Sequence, residues 1–102
     1  MIGYLEIETG AERRVVPLRD DVIHVGRGLS ADVRLDDATV SRKHAVIVRR
    51  DEGAFILDDR SMNGVVVNGQ RVREARLEDG DEILLGRVGL RFRAAVPEVA
   101  AA

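Results

Sequence analysis

Three short clusters of polar, directional residues interrupt a chain otherwise rich in branched apolar side chains. Gly26-Arg27-Gly28 follows one β-rich run, and Ser41-Arg42-Lys43-His44-Ala45 leads into another. The third, Asp58-Asp59-Arg60-Ser61-Met62-Asn63-Gly64, is followed closely by Val67-Asn68-Gly69. Arg27 offers a planar fork of donors, Ser41 a hydroxyl, and Arg42 and Lys43 further cationic donors. Glycines beside Arg27 and Asn63 allow backbone N–H groups to approach a ligand closely. Such a set suits a phosphate dianion, which carries about −1.5 to −2 charge at neutral pH. Charge-assisted hydrogen bonds contribute roughly 1.5–3 kcal/mol each, so three or four suffice for micromolar recognition after ordering costs. Asn63, both donor and acceptor, suits an extended peptide backbone beside that phosphate.

The segments between these clusters read as short strands. Tyr4 to Glu8 alternates apolar and polar residues, Thr9 to Glu12 forms a turn, and Arg13 to Leu18 returns, with Pro17 placing it at an edge. Val22 to Val25 is β-rich, Val33 to Leu35 alternates briefly, and Asp51-Glu52-Gly53 turns Ala45–Val48 into Ala54–Leu57. Asn63-Gly64 and Asn68-Gly69 bracket Val65–Val67; Glu78 to Asp81 turns into Glu82–Gly86, and Val88 to Arg93 closes the series. No helical period is sustained. The pattern predicts an all-β sandwich or barrel, without a substantial helix, and loops at one end of a sandwich converge in space. A domain is expected over residues 1–94, with 95–102, containing Pro97 and a terminal alanine run, as a linker stub or tail.

Composition narrows the function. With 102 residues the chain makes one domain, and its 45% hydrophobic content supports a core. Sixteen basic and eighteen acidic residues leave a net charge of −2, and aromatics reach only 3%, which argues against nucleic-acid binding. Cysteine is absent, and His24 and His44 lack zinc-ligand spacing, so no metal or other cofactor is expected. No apolar run could cross a bilayer, and MIGYLEIE is not a signal peptide; the expected location is cytoplasmic, and the expected state a monomer.

Taken together, Gly26-Arg27, Ser41-Arg42-x-His44-Ala45, Asp58/Asp59-x-Ser61-x-Asn63-Gly64 and Val67-Asn68-Gly69 resemble the signature of the forkhead-associated (FHA) domain. Leu77-x-x-Gly80-Asp81-x-Ile83-x-x-Gly86 resembles its closing strands, so the likeness runs from about Tyr4 to Arg93. The resemblance implies an eleven-stranded β-sandwich whose loops bind a phosphothreonine-containing protein or peptide without catalysis, in kinase-linked signalling or assembly. By position it assigns Arg27 and Ser41 to the phosphate, with Arg42 assisting, and Asn63 to the peptide main chain. His44 would brace the loops from behind, Gly26 and Gly64 would shape them, and Ser61 and Asn68 would support the site. Met62 stands where many members carry a hydroxyl, so only its backbone N–H is left for the phosphate, and Val65 stands where threonine is common.

Plainer readings bear on several residues. Lys43 is expected to be a solvated charge and Asn68 a turn residue, and Asp36-Asp37 and Asp58-Asp59 to be loop and strand-end charges without a metal. Arg60 either lies near the site and favours acidic peptide residues or faces water. A hydrolytic Ser41–His44–Asp arrangement is disfavoured by the odd spacing, and neither a Gly-x-Ser-x-Gly elbow nor a Walker-type phosphate loop occurs. The main rival is a phosphate-independent interaction or self-association module on the same fold.

Overall fold

A computed structural model describes residues 2–10 and 12–95. It contains eleven strands: β1 (Gly3–Thr9), β2 (Glu12–Leu18), β3 (Val22–Gly26), β4 (Val33–Arg34), β5 (Ala45–Arg50), β6 (Gly53–Asp58), β7 (Val65–Val67), β8 (Gln70–Val72), β9 (Glu74–Leu77), β10 (Glu82–Leu85) and β11 (Val88–Ala94). They form a six-stranded sheet in the order β2-β1-β11-β10-β7-β8 and a five-stranded sheet in the order β4-β3-β5-β6-β9. The all-β sandwich and its strand count agree with the expectation. Among the described residues there is no helix, hence none long and apolar enough to cross a membrane. Apart from Ala95, the expected tail lies outside the described residues.

Alternation dictates which side chains enter the core. Leu5 and Ile7 of β1, Ile23 and Val25 of β3, Ala45 and Ile47 of β5, Ile83 and Leu85 of β10, and Leu90 and Phe92 of β11 are all buried between the sheets. Pro17 lies in β2, an edge strand, where its missing N–H costs no ladder bond. Two strands went unread in the sequence, β8 and β9, and each is an edge of its sheet.

The outer faces differ. On the six-stranded sheet, Glu6, Arg91 and Glu82 stand side by side across β1, β11 and β10. Glu6 pairs with Arg13 at 2.8 Å and Arg93 at 2.9 Å, while Arg91 pairs with Glu82. On the five-stranded sheet, Val22, Val48, Phe55 and Arg76 form one row and His24, Val46, Leu57 and Glu74 the next. Val22 is half exposed, and the Arg50 guanidinium lies 4.7 Å over the Phe55 ring.

The register also sorts the loops into two ends. β3, β6 and β10 finish, and β5 and β11 begin, at the end that carries the β3–β4, β4–β5, β6–β7 and β10–β11 connections. Ile2 and Ala95 meet at the other end, where the Ala95 N–H donates to the Ile2 carbonyl at 3.3 Å.

Candidate functional site

The site begins with the β3–β4 loop zipped to the β4–β5 loop by main-chain bonds. The Arg27 N–H donates to the Ser41 carbonyl at 3.0 Å, and the Gly28 N–H to the Arg42 carbonyl at 3.1 Å. This approach requires glycine at 26, because a Cβ there would land on the Arg42 carbonyl oxygen. Arg27 is half-buried, and its Nε donates to the Val40 carbonyl at 3.0 Å. No hydrogen bond among the described residues uses its two terminal nitrogens. The fork is thus aimed by one bond, with its remaining donors unpaired.

His44, fully buried, ties the β4–β5 loop to the β6–β7 loop. Its Nδ1 accepts the Ser41 N–H at 3.0 Å, which leaves the ring proton on Nε2 to donate to the Gly64 carbonyl at 2.7 Å. Both ring nitrogens are therefore occupied by backbone groups, and neither can take a proton from the Ser41 hydroxyl. The Ser41 Oγ instead accepts the Met62 N–H at 2.9 Å, so the main-chain donor expected at the phosphate is already shared with Ser41. The hydroxyl proton of Ser41 stays available for donation.

Within the β6–β7 loop, the Ser61 N–H donates to the Asp58 carboxylate at 2.9 Å and the Gly64 N–H to the Ser61 Oγ at 2.8 Å. Arg60 takes the left-handed region with φ 55° and is exposed, and Gly64 has φ 82°. Asn63 is exposed; its Nδ2 donates to the Thr39 carbonyl at 2.7 Å, which fixes the amide and leaves Oδ1 as a free acceptor. Arg42 and Lys43 are exposed beside this cluster.

The structure thus gathers Gly26, Arg27, Ser41, Arg42, His44, Ser61, Met62, Asn63 and Gly64 at one end of the sandwich. Asn68 is not among them. It sits at the far end of β7 with φ 50°, where its Nδ2 donates to Asp81 and its Oδ1 accepts the Glu82 N–H at 3.0 Å.

Sequence reasoning missed Asp37, Thr39 and Arg87. Asp37 Oδ1 accepts both the Thr39 hydroxyl, at 2.6 Å, and the Thr39 N–H, at 2.8 Å, and Arg87 Nε donates to Asp37 Oδ2 at 3.1 Å. The Arg87 N–H donates to Thr39 Oγ1 at 2.9 Å. Thr39 in turn holds Asn63, so the clamp reaches the site through one carbonyl. The Thr39 hydroxyl, the Thr39 N–H and Arg87, in that order, pull the Asp37 carboxyl down to about 2. The Asp37-x-Thr39 spacing is a visible Asx-turn signal, but Arg87 lies 50 residues away and carried none. Among the described residues no group of His, Asp or Glu converges as metal ligands.

Comparison with known proteins matches the FHA domain family to residues 23–86, more than half of the chain. The chain belongs to the FHA domain family. FhaA of Mycobacterium tuberculosis is 40% identical over 82 residues, covering 80% of this chain and 15% of that protein. A structure solved in work on phosphothreonine-dependent FHA domain interactions superimposes with TM-score 0.87 and 35% identity, over 95% of this chain and all of the other. M. tuberculosis EmbR in complex with a low-affinity phosphopeptide gives TM-score 0.82 and 35% identity, over 93% of this chain and 25% of that one. The first four curated relatives are longer proteins, of which this chain spans from 8% to about half.

Proposed function

We propose that this FHA domain is a non-catalytic module that binds phosphothreonine-containing protein segments in the cytoplasm and serves Ser/Thr-kinase-linked signalling or assembly. One observation carries the reading. Arg27 is locked through Nε to the Val40 carbonyl and through its main-chain N–H to the Ser41 carbonyl, and its terminal nitrogens are left unpaired. In this reading the Arg27 fork and the Ser41 hydroxyl grip the phosphate, with exposed Arg42 adding charge. The Met62 N–H assists only by sharing its bond to Ser41, while the free Asn63 Oδ1 accepts a peptide N–H. The relatives support it, since of two solved neighbours at 35% identity one comes from work on phosphothreonine-dependent FHA domain interactions and the other, EmbR, is in complex with a phosphopeptide.

The deciding experiment is calorimetric titration with paired phosphorylated and unphosphorylated threonine peptides. Only the phosphorylated peptide should bind, and Arg27→Ala should reduce its affinity below detection. Loss of the Nε bond should cost about 1 kcal/mol of stability, so the variant should still melt cooperatively. Equal binding of both peptides would overturn the reading.

A second reading, phosphate-independent self-association, draws on Val22, Val46, Val48, Phe55 and Leu57 on the outer face of β3, β5 and β6, where alternation would normally place polar residues. Its mark would be concentration-dependent association insensitive to Arg27→Ala.

A further inference from the structure

Arg71 lies outside every motif that pointed to the site. It sits on β8, an edge strand paired only with β7, and stands opposite Val66. From there its guanidinium reaches the turn that follows Asn63: a Cβ built on Gly64 would lie 2.5 Å from Arg71 Nε. Gly64 is itself pinned through its carbonyl to the buried His44, so the arginine rests on a fixed surface. Seven of the fifteen arginines reach a carboxylate within 4.0 Å; Arg71 is one of the eight that do not, and no hydrogen bond among the described residues uses its side chain. An exposed, unpaired guanidinium beside the residue assigned to the peptide main chain is a donor fork without an anion.

We propose that Arg71 forms a second anion subsite, which selects an acidic group a short distance along the bound segment from the phosphothreonine. This rests on the phosphothreonine reading above and gives the partner a chemistry: a phosphothreonine flanked on one side by a carboxylate or by a second phosphate. A guanidinium fork receives either anion in the same bidentate manner. A single fixed cation beside a directional peptide gives a one-sided preference, and Arg42 and Lys43 belong to a separate connection, between β4 and β5.

The test uses synthetic peptides with a central phosphothreonine in an alanine background, and aspartate or phosphoserine placed at each flanking position in turn. For an exposed pair, aspartate at one or two positions on one side should raise affinity about two- to fivefold over alanine. Arg71→Ala should flatten that scan without changing the affinity for the all-alanine phosphothreonine peptide, and Arg71→Glu should transfer the preference to lysine at the same positions. Lys43→Ala should leave the scan unchanged. An aspartate gain identifies an acidic segment, and a gain for phosphoserine alone identifies a doubly phosphorylated one; both support the subsite. A flat scan in the unmodified protein, or one that survives Arg71→Ala, overturns it. Should threonine and phosphothreonine peptides bind equally, the phosphothreonine reading falls, and the same aspartate scan on unphosphorylated peptides still decides for or against Arg71.

Discussion

His44 bears on the site without facing the ligand. Its two ring nitrogens join a residue three positions earlier to one twenty positions later, and its side chain is sealed from water. Removing it strands the Ser41 N–H and the Gly64 carbonyl and leaves a void. Each unsatisfied buried group costs about 1–3 kcal/mol, and the lost packing adds to that. His44→Ala should therefore lower the unfolding free energy by about 3–5 kcal/mol in a urea titration, with any loss of affinity following from loosened loops. A loss of affinity at unchanged stability would contradict the bracing role. At this scale the sequence was informative where a polar residue sat at motif spacing, as with Arg27, Ser41 and Asn63. It was silent where the partner was remote. Thr39 reads as an ordinary loop residue until Arg87, 48 residues on, donates to its hydroxyl.

The β4–β5 connection shows how an element is held by its charge. The Asp37 carboxyl has its folded-state value near 2 against an ordinary 3.8, so the hydrogen-bonded carboxylate stabilises the fold fully above about pH 4. As pH falls from 3.8 through 2 the unfolded chain takes up the proton first, and the contribution is lost. Melting temperatures between pH 2 and 6 should therefore decline more shallowly at the acid end for Asp37→Asn than for the unaltered protein; parallel curves would count against the clamp. The elements themselves were unevenly legible. β1, β5, β6, β10 and β11 announce themselves by alternation or apolar runs, bounded by Gly, Asn or Asp turns. β8 and β9, written Gln-Arg-Val-Arg-Glu-Ala-Arg-Leu with no turn residue between them, do not. They pass from one sheet to the other through Arg73, and as edge strands they are charged, which erases the apolar signal and guards the edges. Periodicity alone therefore undercounts the strands, and the eleven came from the resemblance.

Across the whole molecule, one outer face carries the Glu6–Arg13, Glu6–Arg93 and Arg91–Glu82 pairs, and the other carries Val22, Val46, Val48 and Leu57 with Phe55 under Arg50, itself paired with Glu74. On the self-association reading, Val48→Lys should lower the concentration dependence of the sedimentation coefficient and leave phosphopeptide affinity unchanged, because Val48 lies well down β5 from the binding loops. A fall in affinity instead would mean that the peptide extends across this face. The meeting of Ile2 and Ala95 at the end remote from Arg27 has a consequence for engineering. A domain with hydrogen-bonded ends can be spliced into a surface loop of an unrelated host without prising that host apart. Placed inside a loop of a fluorescent protein, residues 2–95 should bind phosphothreonine peptides as tightly as the isolated chain, with the recognition loops projecting outward like the bit of a key.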